Sequence, residues 1–183
     1  MLYSFIATSA DGYHEAPGRN LDWHNVDDEF TEFSLDQLDH TGAIVFGRVT
    51  YEGMAQFWQS PTAWETDPET TRRMNALPKA VVTRTLTSAD WPDTRVLDDP
   101  AKVGPLRDDV AGTGKDVAVF GSSTLAARLV ELGVVDEIRL LVMPVLLGEG
   151  TPVYRGIGRS RLELVATRPF ASGNVLHTYR PGR

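Results

Sequence analysis

The chain has 183 residues, no cysteine, 42% hydrophobic and 23% charged residues, and a formal net charge of −7. That length supports one domain with one sizeable core. The acidic balance disfavours a nucleic-acid footprint, which needs a basic stripe, and the missing thiols exclude disulfides, thiolate catalysis and zinc–sulfur sites. The start, MLYSFIATSADGY, carries no basic segment before a long apolar run. No apolar run approaches the ~20 residues of a membrane span. A cytoplasmic protein without membrane or nucleic-acid partners is expected.

Leu2 to Ala7 reads as a buried strand that stops at the turn signal Ser9-Ala10-Asp11-Gly12. A loop rich in Gly, Pro and Asn follows to about Asn25. Asp27 or Asp28 caps a helix running to about His40, with Phe30, Phe33 and Leu38 facing inward. Ala43 to Phe46 is a second strand, ending at Gly47. A helix follows at once, because Tyr51, Met54, Ala55 and Trp58 form one apolar stripe. Asp67-Pro68-Glu69 has the cap, first-turn proline and acidic first turn of a short helix reaching about Asn75.

Lys79 to Thr83 and Arg95 to Leu97 are the next strands. Asp99-Pro100 opens a helix that Pro105 should shorten or kink. Val117 to Phe120 is a strand that runs into Gly121-Ser122-Ser123-Thr124. The helix after it carries Leu125, Leu129 and Leu132 on one face and stops at Gly133. Ile138–Met143, Leu162–Thr167 and Val175–Tyr179 are strands with no helix pattern between them, so at least some pair antiparallel. The whole pattern is α/β: one mixed sheet with helices on both faces. Trp58, Trp64 and Trp91 are expected in packing, and His177 faces the sheet.

Two strand-to-helix junctions carry the chemistry: Gly47-Arg48-Val49-Thr50-Tyr51 and Phe120-Gly121-Ser122-Ser123-Thr124-Leu125. In a parallel sheet such junctions share one edge, where ligands bind. Each offers a glycine for close backbone approach and a helix start with free N–H groups, which together suit phosphate. The plainer alternative is that Thr50, Ser122 and Ser123 only cap helices; the residues leave the two readings about even. Thr83-Arg84-Thr85 ends another strand, and a guanidinium beside hydroxyls suits a phosphate monoester. An exposed surface arginine explains that segment equally well.

With Ser9-x-Asp11-Gly12 and Leu146-Leu147-Gly148-Glu149-Gly150-Thr151-Pro152, these elements resemble the dihydrofolate reductase superfamily. Within it they are most similar to the reductase domain of the bifunctional riboflavin-synthesis deaminase/reductase. The resemblance covers nearly the whole chain. It implies a single-domain, mostly parallel sheet of eight or nine strands whose C-terminal strands turn antiparallel, and NADPH as hydride donor. By position, Ala7 and Thr8 would lie beside the nicotinamide. Gly47, Arg48 and Thr50 would meet phosphates. Thr83, Arg84 and Thr85 would meet the ribose 2′-phosphate, and Phe120 to Leu125 would wrap the pyrophosphate.

On the substrate side the resemblance implies Trp23 in the loop after the first strand, and Asp28 where folate-reducing relatives bury a proton-delivering carboxylate. Asp27, Asp28 and Glu29 also fit a solvated first turn favoured by the helix dipole. Asp11, Asp27, Tyr51 and Glu149 complete the expected substrate contacts, with Asp11 a second catalytic candidate. The implied activity is hydride transfer to a small heterocyclic or ribosylamino-pyrimidine substrate. A non-catalytic NADP(H)-binding module and a true dihydrofolate reductase are the alternatives. A homodimer is implied too, with the apolar Leu140–Leu147 region either its interface or a buried strand. Gly112-Thr113-Gly114-Lys115 is no P-loop, since Asp109 and Asp116 break the pattern. His14, His24, His40 and His177 lack ligand spacing, so no metal is assigned.

Overall fold

The computed structural model describes residues 1–182. Its strands are β1 Leu2–Ser9, β2 Tyr13–Glu15, β3 Thr41–Gly47, β4 Lys79–Val82, β5 Thr94–Leu97, β6 Asp116–Phe120, β7 Glu137–Met143, β8 Thr151–Pro152, β9 Leu162–Pro169 and β10 Val175–Pro181. Its α-helices are α1 Asp28–Asp39, α2 Arg48–Trp58, α3 Pro61–Thr66, α4 Pro68–Ala76, α5 Val103–Ala111 and α6 Ser123–Glu131. Eight strands form one sheet in the order β5-β4-β3-β6-β1-β7-β10-β9. From β5 to β7 every neighbour is parallel; β10 then pairs antiparallel with β7, and β9 with β10. β2 and β8 make a separate two-stranded ribbon.

Side chains alternate across the sheet, and each face has its own core. Leu2, Ile6, Val45, Val117 and Val119 pack against Val103 of α5 and Ala126 and Leu129 of α6. The opposite face sets Tyr3, Ile44, Phe46 and Ala118 against Leu38 of α1, Tyr51 and Ala55 of α2, and Met74 of α4. A third cluster joins Leu141, Met143, Phe170 and Leu176 to Trp23, Phe30 and Phe33. This is the mixed, mostly parallel α/β architecture expected from the sequence.

Several local expectations need correction. The loop after β1 is not wholly irregular, because β2 finds a partner in β8. A helix at Pro61–Thr66 has the same cap-proline signal as its successor: Ser60 Oγ accepts from Ala63 N at 3.2 Å and Pro61 follows in the first turn. The helix expected from Asp99-Pro100 is divided: Pro100–Lys102 form a 3₁₀ turn under the Asp99 cap, and α5 begins only at Val103, with Pro105 in its first turn, where no intrahelical N–H is needed. Trp91 is fully buried, but Trp64 is 47% exposed. Leu140 to Met143 belong to β7, paired on both edges by β1 and β10, so this stretch is an inner strand.

Candidate active site

Because β1, β3, β4, β6 and β7 run together, their C-terminal ends share one edge. β3 lies between β4 and β6, with Gly47 level with Val82 and Val45 level with Val119. The two glycine junctions therefore meet. Gly47 N donates to Ser122 Oγ at 2.9 Å, and Ser122 N donates to Thr50 Oγ1 at 3.2 Å. A β carbon on Gly121 would stand 3.1 Å from Thr50 Cγ2. Gly121 and Ser122 both adopt positive φ, 56° and 49°, which turns the chain sharply from β6 into α6.

This stitching decides what the hydroxyls do. α1, α3 and α4 begin under side-chain caps from Asp27, Ser60 and Asp67. α2 and α6 have no side-chain cap. Ser122, the residue in the cap position of α6, spends its oxygen on Gly47 N instead. The first amides of both helices are thus left to another acceptor, and helix starts of this kind favour anions. Ser123 Oγ accepts from Tyr154 N at 2.6 Å, Thr124 is exposed, and Leu125 is buried in the core. Phe120 is buried against Tyr3 and Phe5.

Thr83, just past β4, accepts from Thr85 N at 3.1 Å and Leu86 N at 3.3 Å through its hydroxyl. The resulting turn leaves Arg84 exposed at its tip, with no ion pair among the described residues. Arg48 differs: both Glu52 carboxylate oxygens accept from its Nη1 at 2.9 Å. Thr8 Oγ1 donates to Ser9 O and Tyr13 O, both at 3.2 Å, closing the end of β1. Ala7, Trp23, Phe30, Phe33 and Val145 form an apolar wall beside that end, and Trp23 Nε1 donates to Asn20 O at 3.1 Å.

The carboxylates do not sit as expected. Asp28 is exposed at the first position of α1, not buried, because its neighbour Asp27 takes the cap and accepts from Phe30 N at 2.8 Å. Asp11 accepts from Ser9 Oγ at 2.6 Å, Gly148 N at 2.7 Å and Leu147 N at 3.1 Å. The Ser9 hydroxyl, then the two amides, hold its carboxyl down at about 2, so it is an ionised anchor and no acid near neutrality. The Tyr51 phenol, expected at the substrate, bonds within the protein. It is fully buried, donates to Asp90 Oδ1 at 3.1 Å and accepts from Trp91 N at 2.9 Å. Glu149 is exposed on the loop that Asp11 anchors. Sequence reasoning missed Tyr154, whose only local signal is its place just after the Gly-x-Gly-x-Pro run.

The sheet order, the paired helix starts and the antiparallel end define a dihydrofolate-reductase-like fold. The dihydrofolate reductase of Enterococcus faecalis complexed with NADP(H) superposes with a TM-score of 0.66 at 19% identity, covering 100% of this chain and 97% of that one. A putative riboflavin biosynthesis protein from Shewanella sp. PV-4 gives 0.73 at 20% identity, covering 100% and 99%. The sequence matches the RibD C-terminal domain over residues 1–176, and the chain belongs to that family. It is also 32% identical over 178 residues to the uncharacterized protein YyaP of Bacillus subtilis (strain 168), covering 95% of this chain and 91% of that protein.

Proposed function

We propose that the protein is an NADPH-dependent reductase acting on a small heterocyclic or ribosylamino-pyrimidine-type substrate. The observation that carries this reading is the convergence of two helix starts, both without side-chain caps, on the seam where Gly47 and Ser122 bond. Amides of both helices are available to one diphosphate, and the glycines let backbone come close. NADPH bound there supplies a hydride from C4 of its nicotinamide.

The chain's own groups orient the reactants and exclude water. The end of β1 supplies backbone beside the nicotinamide at Ala7 and Thr8. Arg84, exposed and without an ion-pair partner among the described residues, is the group for the 2′-phosphate, while Arg48 is already held by Glu52. The apolar wall of Trp23, Phe30 and Phe33 receives the flat face of a heterocycle. With Asp28 exposed and Asp11 fixed as an anion, water delivers the balancing proton. For the same reason true dihydrofolate reduction, which relies on a buried acid, is not proposed.

Titrating the protein with NADPH and NADH while following nicotinamide fluorescence tests the reading. NADPH should bind more tightly, and Arg84→Ala should weaken NADPH binding roughly tenfold or more, a loss of about 1.4 kcal/mol or more, with NADH unchanged. No binding of NADPH at millimolar concentration removes the proposal. Binding without turnover on a panel of pterins, flavin precursors and quinones assigns the chain as a non-catalytic NADP(H) module.

A further inference from the structure

Residues 145–154 form a strap across the catalytic edge, tied down at every few residues. Ala10 N donates to Val145 O at 2.8 Å, and the Asp11 carboxylate holds the amides of Leu147 and Gly148. β8 pairs with β2, and Val153 N donates to Gly12 O at 2.9 Å. The strap ends at Tyr154. Its backbone N donates to Ser123 Oγ in the first turn of α6, and its phenol shares a 2.8 Å hydrogen bond with Ser4 Oγ on β1. Burial pushes that phenol up to about 12. Tyr154 adopts φ of +53°, a conformation that residues with a β carbon seldom take. The two hydrogen bonds hold it there.

One residue thus ties the strap to both α6 and β1. Ser123 belongs to the helix start assigned above to the diphosphate. The other end of the strap carries Gly148, Glu149 and Gly150 beside Asp11. Because Tyr154 N fills an acceptor position on Ser123 Oγ, the serine proton is turned away from the strap.

We propose that Tyr154 is a positioning residue that couples the dinucleotide-binding start of α6 to the substrate-side loop 146–150, so that ligand at one end orders the other. The inference rests on the reductase reading. It requires that occupancy at α6 be felt at residues more than twenty positions further along the chain, through Ser123 and Tyr154.

The test compares wild type, Tyr154→Phe and Tyr3→Phe by NADPH titration and by amide hydrogen exchange with and without NADPH. Tyr154→Phe removes the bond to Ser4, one of the two that hold Tyr154 at its positive φ and so keep its N–H on Ser123 Oγ. Tyr3→Phe removes a similarly buried phenol bond, the 3.0 Å contact with Thr41, away from α6, and so controls for general destabilisation. In wild type, NADPH should slow exchange at 146–150 as well as at the start of α6. In Tyr154→Phe, binding should weaken several-fold and the protection at 146–150 should disappear. Tyr3→Phe should keep both. If Tyr154→Phe retains wild-type protection of 146–150, the coupling is overturned while the reductase reading stands. If wild type does not bind NADPH at all, both fall together.

Discussion

Gly150 shows how a single atom can fix a residue type. Its φ is +140°, and a β carbon there would sit 2.1 Å from Glu15 O. That contact is with backbone, so it cannot be relieved by moving a side chain. Gly150→Ala should lower stability by at least about 2 kcal/mol, read as a shift in the urea midpoint, because it pushes β8 off β2. Asp11 illustrates a different limit. Its place after the first strand suggested catalysis, but three hydrogen bonds make it the anchor of a loop. Residue type was legible; two of the three partners that fix its role, Leu147 and Gly148, lie 136 and 137 positions away.

At the scale of elements, side-chain caps mark the starts of α1, α3 and α4 but not those of α2 and α6 at the shared sheet edge; α5 lacks one too, but it continues from a 3₁₀ turn, Pro100–Lys102, that Asp99 caps. Asp67 is both the C-terminal end of α3 and the cap of α4, accepting from Thr70 N at 3.1 Å. Asp67→Ala should cost about 1 kcal/mol, recovered largely by Asp67→Asn or Asp67→Ser, and thermal unfolding measures it. The same kind of bond is missing at α2 and α6. In the sequence, Ser122-Ser123 after a glycine looks as much like a cap as Ser60 does. Only the position of Gly47 N, on a strand seventy-five residues earlier, shows where the Ser122 hydroxyl goes. α3 was missed for a related reason: its cap and proline were present, but six residues are too few to display a helical period.

For the whole molecule, the two faces of the sheet each bury a phenol. Tyr3 is pushed up to about 12 by burial, partly opposed by its bond to Thr41 and by Arg139, whose Cζ lies 3.8 Å over its ring. Tyr154 is raised to about 12 likewise. Both folded values exceed the ordinary 10.0, so the folded chain keeps protons that the unfolded chain releases. The stability they contribute is fully present below pH 10 and is lost as pH rises towards about 12, on the order of 1–3 kcal/mol per tyrosine. Denaturant midpoints measured across that window should fall, and fall less in Tyr3→Phe and Tyr154→Phe. Tyrosinate absorbance should appear late in the folded protein.

The alternation of apolar runs with helical periods determined the order of elements, and the loss of helices after β7 determined that the sheet ends antiparallel. These follow from local hydrophobic spacing, which the chain carries residue by residue. The tertiary structure alone decided that Tyr51 is interior, that Asp28 stays in solvent, that Arg84 lacks an ion-pair partner among the described residues while Arg48 has one, and that Tyr154 reaches α6. Each of those depends on a hydrogen-bonding or packing partner brought close by the sheet order, and no periodicity in the chain encodes which strand will lie beside which.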